Sequence, residues 1–460
     1  EDARNSVETA TLAGAVIGSG KPFKEGESQL KKTYQIEKHG ALQQFRTKAG
    51  NSTTPIQFAL PLSEVVSLAQ QGLMSLALAA FTQVAQHLMS WEVDELVGAK
   101  NQPQSNRDKL RWGKQSGYCV VGGQKVPLER PRVRDVRRRE VPLGSYEMLQ
   151  QASLMEEAVW QKIMHGLTTR RYSDLTREIE QAYGIEKSTV SEHFIEASRQ
   201  RLQTLETRPL DGHCICAMLI DGTCFADQQV IVALGITLQG NKVVLGLRQG
   251  ATENTTVVKQ LLEDLSQRGI DFEVPRLYVL DGGKGLHAAV RKTAGKAALI
   301  QRCQVHKMRN VVDHLAEEHQ MNVRCKLRNA YATRDHAGAK RALDRLLREL
   351  MDLNPSAARS LEEGLEETLT VHKLRVPDKL RSSLSSTNLI ESAFSLVETV
   401  CRNVKRWQGG DQYLRWVASG LLWAESRWNR LHGYREIPIL VKELELAIVK
   451  SIPVRHASVA

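Results

Sequence analysis

Apolar positions follow two patterns along this chain, short continuous runs and recurrence at helical spacing. The first pattern predicts strands and the second predicts helices. Runs with the composition of buried strands lie at residues 217–220, 230–238, 242–247, 277–280 and 297–300. The second and third runs flank a short turn, which predicts a hairpin. Apolar residues recur at helical spacing in residues 255–268 and again after Lys284. Strands that alternate with helices in this way predict an α/β sheet.

Helical patterns without strands occupy the regions on either side of this sheet. The predicted order is a flexible leader at 1–54, a helical region at 55–100, a basic segment containing strands at 101–150, a helix-turn-helix region at 151–210, the first part of an α/β core at 211–309, an all-helical insertion at 310–384, and the second part of the core with C-terminal helices at 385–460. The region at 310–384 is interpreted as an insertion because its charge-rich helical pattern interrupts the α/β pattern.

The charge balance favours a polyanionic partner. The formal net charge is +11 and the sequence pI is about 9.3. Nucleic acid is the first candidate, although a basic enzyme without such a partner would show the same balance. Residues 107–140 contain eleven Lys or Arg against four acids. We therefore expect the segment 101–150 to contact DNA phosphates. The alternating basic positions at 125–134 are typical of an edge strand.

A helix-turn-helix pattern is predicted within the next region. Ser173 can cap a helix that runs to Tyr183, Gly184 makes the turn, and a second helix opens at Lys187. In such motifs the start of the second helix faces the DNA major groove. The predicted DNA contacts here are Arg170, Arg171, Lys187, Ser188, Thr189 and Ser191. Two packed structural helices would give the same pattern.

The seven cysteines argue against a disulfide framework. Their number is odd and no Cys-x-x-Cys pair occurs, which is typical of a reducing compartment. Cys214 and Cys216 lie beside His213, but this spacing matches no standard zinc site and favours buried thiols. No apolar run has the length of a membrane span. We expect a cytoplasmic protein, associated with the nucleoid and without a membrane partner.

Three carboxylates stand where a metal site could form. Asp221 and Asp281, 60 residues apart, each follow an apolar run, and strand ends gather reactive groups at one edge of an α/β sheet. Glu391 lies near the first turn of a predicted helix. Taken singly, each acid is explained by a turn or a helix start. Together they predict divalent cations for phosphodiester chemistry, since Mg²⁺ prefers hard oxygen ligands.

The motifs around these acids resemble those of bacterial insertion-sequence transposases of the Mutator-like group. The matching stretches are LIDGT with Asp221, VLDGGKGL with Asp281, CQVH with Cys303 and His306, and STNLIES with Asn388 and Glu391. The resemblance is strongest from about residue 215 to about residue 430. It implies an RNase H-like catalytic core interrupted by the helical insertion, with helical and helix-turn-helix DNA-binding regions nearer the N-terminus.

The resemblance further implies a D-D-E transposase. Asp221, Asp281 and Glu391 would hold two Mg²⁺ or Mn²⁺ ions, with Cys303 and His306 at the same catalytic site. Water would hydrolyse a strand at an element end, within a terminal inverted repeat, and the freed 3′-hydroxyl would attack double-stranded target DNA. A homodimer is expected because two ends must be paired. Further predicted DNA contacts are Lys307, Arg309, Arg402, Lys405 and Arg406.

Two other functions are compatible with the same residues. A catalytically silent regulator derived from a transposase would bind specific DNA sequences without cutting them. A nuclease of the same fold would cleave without strand transfer. The three intact acids favour an active enzyme over the regulator. For His306 we favour a hydrogen bond near the scissile phosphate, and packing of the insertion against the sheet is the alternative for His306 and Cys303.

Overall fold

The computed structural model describes residues 40–53, 61–71, 73–102, 108–172, 183–225, 228–252, 254–402, 404, 406–407 and 411–451. They fall into two compact units. One contains the described residues up to Leu154 together with Tyr183, and the other contains those from Met155 to Tyr172 and from Gly184 onward. The first helix of the predicted helix-turn-helix motif, Lys405 and most of the predicted leader lie outside the described residues.

The first unit is built on a three-stranded antiparallel sheet. Its elements are helices at residues 40–50 (α1), Leu62–Gln71 (α2), Leu73–Val97 (α3) and Gly144–Leu149 (α4), and strands at Lys109–Val121 (β1), Gln124–Asp135 (β2) and Glu140–Val141 (β3). The strand order is β1-β2-β3. β3 pairs only with Val133 and Arg134 of β2, so the edge-strand prediction for residues 125–134 is wrong at those two residues, and Lys125 also forms an isolated bridge with Tyr183.

The prediction of a flexible leader is wrong for residues 40–50, because these residues form the helix α1. Leu42 and Phe45 are buried, and the ring of Phe45 lies edge-on to that of Trp91 on α3, with 6.0 Å between centroids. A short helix gains most of its stability from such tertiary packing, which a local pattern does not reveal.

The second unit is built on a five-stranded mixed sheet. Its strands are Ile215–Phe225 (β4), Gln228–Thr237 (β5), Lys242–Gln249 (β6), Arg276–Leu280 (β7) and Ala298–Arg302 (β8). The order is β6-β5-β4-β7-β8; β4, β5 and β6 are antiparallel, whereas β4, β7 and β8 run parallel. The hairpin predicted for β5 and β6 is confirmed, as is the α/β class. The helices that lie wholly or mostly in the second unit are Ala152–Met164 (α5), Lys187–Thr207 (α6), Thr255–Gln267 (α7), Lys284–Ala294 (α8), Gln304–Val312 (α9), Glu317–Ala332 (α10), His336–Leu353 (α11), Pro355–Glu362 (α12), Thr370–Lys373 (α13), Asp378–Leu384 (α14), Asn388–Cys401 (α15), Gln412–Glu425 (α16) and Ile437–Ser451 (α17).

The strand β4 continues past the acid at which its apolar run stops. Its pairing with β7 ends at Ile220 and Leu280, but its pairing with β5 continues to Phe225. Asp221 is therefore the first residue of β4 beyond its parallel neighbour, and Asp281 follows the last residue of β7. Residues in equivalent positions of parallel neighbours are adjacent, so both acids lie at the same edge.

Helices cover both faces of this sheet. Because side chains alternate along a strand, Leu219 packs with α15 and α16 while Met218 and Ile220 pack with α7 and α8 on the other face. By the same alternation Asp221 lies on the Leu219 face, which α15 covers. This places an acid of the sheet beneath the helix that carries Glu391.

A separate helical cluster lies between β8 and α15. Its buried core runs from Val311 to Leu369, whereas residues from Val371 onward belong to the core of the sheet. Buried amides join the two: Gln301 and Gln304 both donate to the carbonyl of Thr368, each at 2.8 Å. Among the described residues, no helix is long and apolar enough to cross a membrane.

Candidate active site

The two aspartates at the sheet edge differ in their surroundings. Asp221 is 3% exposed and its Oδ1 accepts the backbone N–H of Gly222 at 2.9 Å. Asp281 is half-buried and its Oδ1 accepts the N–H of Gly283 at 2.9 Å. Each carboxylate has further lone pairs in addition to the one that accepts this backbone N–H. The pair therefore presents oxygen ligands at one edge of the sheet.

Glu391 lies in the first turn of α15, as the sequence predicted. It shares a groove of about 530 Å³ with Asp221, His306 and Arg309, and Arg402 lines the same groove. The Oε2 atom of Glu391 lies 3.5 Å from Arg309. Asp281 is not among the groove residues, although its charge acts on Asp221. The structure thus brings two of the three predicted acids into one groove and leaves the third directly beside it.

Cys303 and His306 are placed by the turn from β8 into α9. The Sγ atom of Cys303 accepts the N–H of His306 at 3.4 Å, which caps the helix. Cys303 is completely buried. The imidazole of His306 lies with Nε2 3.7 Å from Oε1 of Glu391. Cys303 therefore orients the helix, while His306 reaches the groove.

The acids and His306 are electrostatically coupled. Burial, and to a smaller extent the charge of Asp281, raises the pKa of Asp221 from 3.8 to about 6, against the opposing effect of His306. The interaction of the imidazole with the Cys303 side chain raises the pKa of His306 from 6.5 to about 9, and the charges of Asp221 and Glu391 add to this effect. Burial acts to raise the pKa of the Cys303 thiol, but the hydrogen bond and charge of His306 hold it below its usual value. The site therefore combines excess negative charge with an imidazolium.

The residues fit a divalent cation. Asp221 is a buried carboxylate whose raised pKa indicates that its negative charge is only partly compensated, and Asp281 and Glu391 supply further hard oxygen ligands near it. Cys303, His306 and Glu391 also offer ligand atoms within 4.8 Å of one another. The thiol is buried, however, and hydrogen bonds to backbone N–H groups already occupy it. The aspartates with Glu391 are therefore the better ligand set for a hard cation.

The prediction that Lys307 contacts DNA is wrong. Its side chain is 1% exposed, and Nζ donates to the carbonyl oxygens of Ser360 at 2.5 Å and Glu363 at 2.7 Å. An ammonium in this position satisfies carbonyls at the end of α12 that have no partner within the helix. Burial, with a smaller effect of Arg302, lowers the pKa of Lys307 to about 8. Lys307 therefore joins α9 to the helical cluster.

The other predicted basic contacts are accessible where they are described. The side chain of Arg309 is 55% exposed, and Arg402 and Arg406 are also exposed. Arg170, Arg171, Lys187 and Ser188 are exposed, whereas Thr189 and Ser191, at the start of α6, are half-buried. The helix-turn-helix motif itself stays a prediction, because residues 173–182 lie outside the described residues.

Glu140 neutralises part of the basic surface predicted in the first unit. Its carboxylate accepts a bidentate pair of hydrogen bonds from Arg132, and Arg130 and Arg134 lie 3.5 and 3.7 Å away. Three of the alternating arginines of β2 thus share one acid. Arg137 and Arg138, in the turn that leads to β3, are exposed.

Two parts of the site were missed by sequence reasoning. Thr387 belongs to the STNLIES stretch but was given no role at the catalytic site by sequence reasoning, although its hydroxyl lies among Cys303, His306 and Glu391. His287 carries no sequence signal of its own. Its Nε2 donates to the carbonyl of Asp281 at 2.8 Å, and its Nδ1 lies 3.3 Å from Glu367. No local pattern could have paired His287 with Glu367, because 79 intervening residues separate them in the chain.

Comparisons with known proteins identify the family. A family model described as "Transposase, Mutator family" matches residues 61–418. The transposase for insertion sequence element ISRM5 of Rhizobium meliloti is 25% identical over 79% of this chain and 92% of its own length. The transposase for IS905 of Lactococcus lactis is 30% identical over 52% of this chain and 60% of its own. The transposase for IS256 in transposon Tn4001 of Staphylococcus aureus is 24% identical over 74% of this chain and 87% of its own.

The family match extends across most of the chain, and the matched range includes all three acids. The chain therefore belongs to the Mutator family of transposases, a class of DNA-processing enzymes.

Proposed function

We propose that the chain cleaves DNA at the ends of an insertion sequence and joins the freed 3′-hydroxyl to target DNA. The observation that carries the proposal is the groove in which Asp221, Glu391 and His306 meet, beside Asp281. The order β6-β5-β4-β7-β8, with three antiparallel strands followed by two parallel ones, supports an RNase H-like core interrupted by a helical insertion. Terminal inverted repeats are the proposed binding sequences.

In this proposal Asp221, Asp281 and Glu391 hold two divalent cations, Mg²⁺ or Mn²⁺. When bound, such cations supply positive charge to the attacking and leaving oxygens of a phosphodiester. His306 donates a hydrogen bond to a phosphate oxygen from its imidazolium. Arg309 and Arg402 offset the charge of neighbouring phosphates along the groove. Arg406 and Lys405 extend this basic stretch in the sequence.

Strand transfer of a labelled element end into a plasmid tests the proposal. We expect cleaved and joined products with Mg²⁺ and none with EDTA. Cleavage without joined product would favour a nuclease. Binding of confirmed cognate ends without cleavage, in Mg²⁺ and in Mn²⁺, would favour a silent regulator. Two ends must be paired, so a homodimer is proposed for the DNA complex; a single chain per paired complex in light scattering would contradict it.

Removal of charge at the proposed helix-turn-helix is expected to weaken binding of element ends. Replacement of Arg170, Arg171 and Lys187 by Gln removes three cations, and should reduce the slope of log K against log salt by about 0.9 for each phosphate that the protein no longer neutralises. Replacement of Arg324, Arg328 and Arg348 by Gln, all in the helical cluster, is the matched control for net charge. Equal binding by the two triple variants would reject the assignment.

Replacement of His306 by Gln is expected to slow cleavage by about 10²-fold, because a charged donor becomes a neutral one. The sign of the pH dependence follows from the imidazolium. The wild-type rate should fall as pH rises through the pKa of His306, which is about 9 without cations and lower when cations are bound. The Gln variant should lack this falling limb, whereas Arg309→Gln should keep it. A limb that persists in His306→Gln would assign it to another group.

A further inference from the structure

We infer that Thr387 is a positioning residue whose hydroxyl sets the placement of His306 and Glu391 for strand cleavage. The inference rests on the proposed function of this groove. Thr387 is completely buried and directly precedes α15. Its side chain does not complete a helix cap. The hydroxyl is turned instead towards the reactive side chains.

The backbone fixes where this hydroxyl can lie. The N–H of Thr387 donates to Sγ of Cys303 at 3.4 Å, and the N–H of Gln304 donates to the carbonyl of Ser385 at 3.0 Å. These two contacts tie the residues that lead into α15 to the turn from which α9 starts. The helices that carry His306 and Glu391 therefore meet at Thr387.

The hydroxyl lies within reach of several polar atoms at once. Its Oγ1 is 3.4 Å from Nδ1 of His306 and 3.3 Å from Oε1 of Glu391. Sγ of Cys303 lies 3.5 Å away. One hydroxyl donates a single proton but accepts through its lone pairs. It can therefore accept from the Nδ1–H of His306 and donate to one carboxylate.

Loss of this hydroxyl would affect both partners. The Nδ1–H of His306 would lose an acceptor in a buried site, and Glu391 would lose a donor that fixes its rotamer. Both groups would still be present, but their placement would loosen. A misplacement of about 1 Å can slow an enzyme by about 10²-fold. The effect should therefore appear in the rate of cleavage and in the use of cations, not in binding of DNA ends.

The alternative is that Thr387 serves only to pack its methyl group. Valine and serine separate the two roles, because Val keeps the shape without the hydroxyl and Ser keeps the hydroxyl without the methyl group. A packing role predicts that Thr387→Val is tolerated and Thr387→Ser is not. A positioning role predicts the reverse.

The experiment measures single-turnover cleavage, half-saturating Mg²⁺, end binding and thermal stability for both variants. We expect Thr387→Val to cleave about 10²-fold more slowly and to need several-fold more Mg²⁺, with end binding within about twofold. Thr387→Ser should stay within about fivefold of the wild-type rate. Wild-type cleavage by Thr387→Val, or the same reduction in both variants, would overturn the inference.

Two further comparisons keep the test decisive. If Thr387→Val does not fold, Thr387→Ser and Thr387→Ala differ only in the hydroxyl, and the same difference in rate is expected between them. Wild type and Glu391→Gln are measured alongside. Full activity in Glu391→Gln, or no wild-type cleavage, would reject the proposed function and the inference with it. An active wild type, an inactive Glu391→Gln and an unimpaired Thr387→Val would reject the inference alone.

Discussion

Replacement of Asp221 by Asn is expected to abolish strand cleavage while making the cation-free protein more stable. The variant keeps the shape of the side chain and an oxygen that can accept the N–H of Gly222. It removes a negative charge that proposed cations require, and we expect the cleavage rate to fall by at least about 10³-fold. Binding of element ends should not weaken, because the substitution removes a negative charge from the proposed DNA groove. A gel-based cleavage assay and an end-binding assay measure the two effects separately.

The gain in stability follows from the raised pKa of Asp221. Because the folded pKa, about 6, exceeds the unfolded value of 3.8, the contribution of this carboxyl to stability is present below pH 3.8 and is lost as pH rises through 6. At neutral pH the ionised Asp221 therefore opposes folding. Its replacement by a neutral amide should raise the free energy of unfolding by on the order of 1–3 kcal/mol. Denaturant unfolding in EDTA measures this difference.

Asp211 provides a matched control for this experiment. It is exposed, and its Oδ1 accepts the N–H of the following Gly212 at 3.0 Å, much as Asp221 accepts from Gly222. Asp211→Asn should change neither cleavage nor stability. If Asp221→Asn retained wild-type cleavage, the acid would not be a ligand at the reacting phosphate. If it also destabilised the protein, the charge of Asp221 would be compensated within the folded chain.

Replacement of Glu391 by Gln is expected to reduce cleavage and strand transfer by at least about 10³-fold. Gln can still accept from the hydroxyl of Thr387, so the start of α15 should keep its structure. The charge that faces His306 and Arg309 is removed. The variant should bind element ends at least as well as the wild type, because a negative charge is removed from the proposed DNA groove.

Glu398 is the matched control for Glu391. It lies two turns further along α15, lines the same groove and is exposed. Glu398→Gln removes the same charge from the same helix, and its cleavage rate should stay within about threefold of wild type, as for most exposed sites away from the reacting atoms. Equal reductions in the two variants would mean that the charge of the groove matters rather than one ligand position. If Glu391→Gln cleaved DNA at the wild-type rate, Glu391 would not be a ligand at the active site.

The local parts of this structure could be predicted from the sequence. The apolar runs of β5, β6 and β7 and the helix that begins at Lys284 coincide with the observed elements. Glu391 lies in the first turn of its helix as predicted. These features depend on neighbours a few residues away, which a single sequence contains in full.

Predictions that failed depended on contacts between distant residues. Lys307 has the composition of a DNA contact, but carbonyls more than 50 residues further along the chain receive its ammonium. β2 has the pattern of an edge strand, but near its end Val133 and Arg134 pair with β3, whose Glu140 also pairs with the Arg132 side chain. Local sequence shows that a side chain is charged, and only the fold shows which partner neutralises it.

The sequence by itself determined the resemblance to the Mutator transposases and the choice of the three acids as candidates, because these reside in short motifs read at single positions. Only the tertiary structure decided how those acids are arranged. It placed Asp221 under α15, set His306 beside Glu391 and brought the hydroxyl of Thr387 between them. The physical reason is that burial and short polar distances create the charge coupling of this site, and both arise only when β4, α9 and α15 pack together.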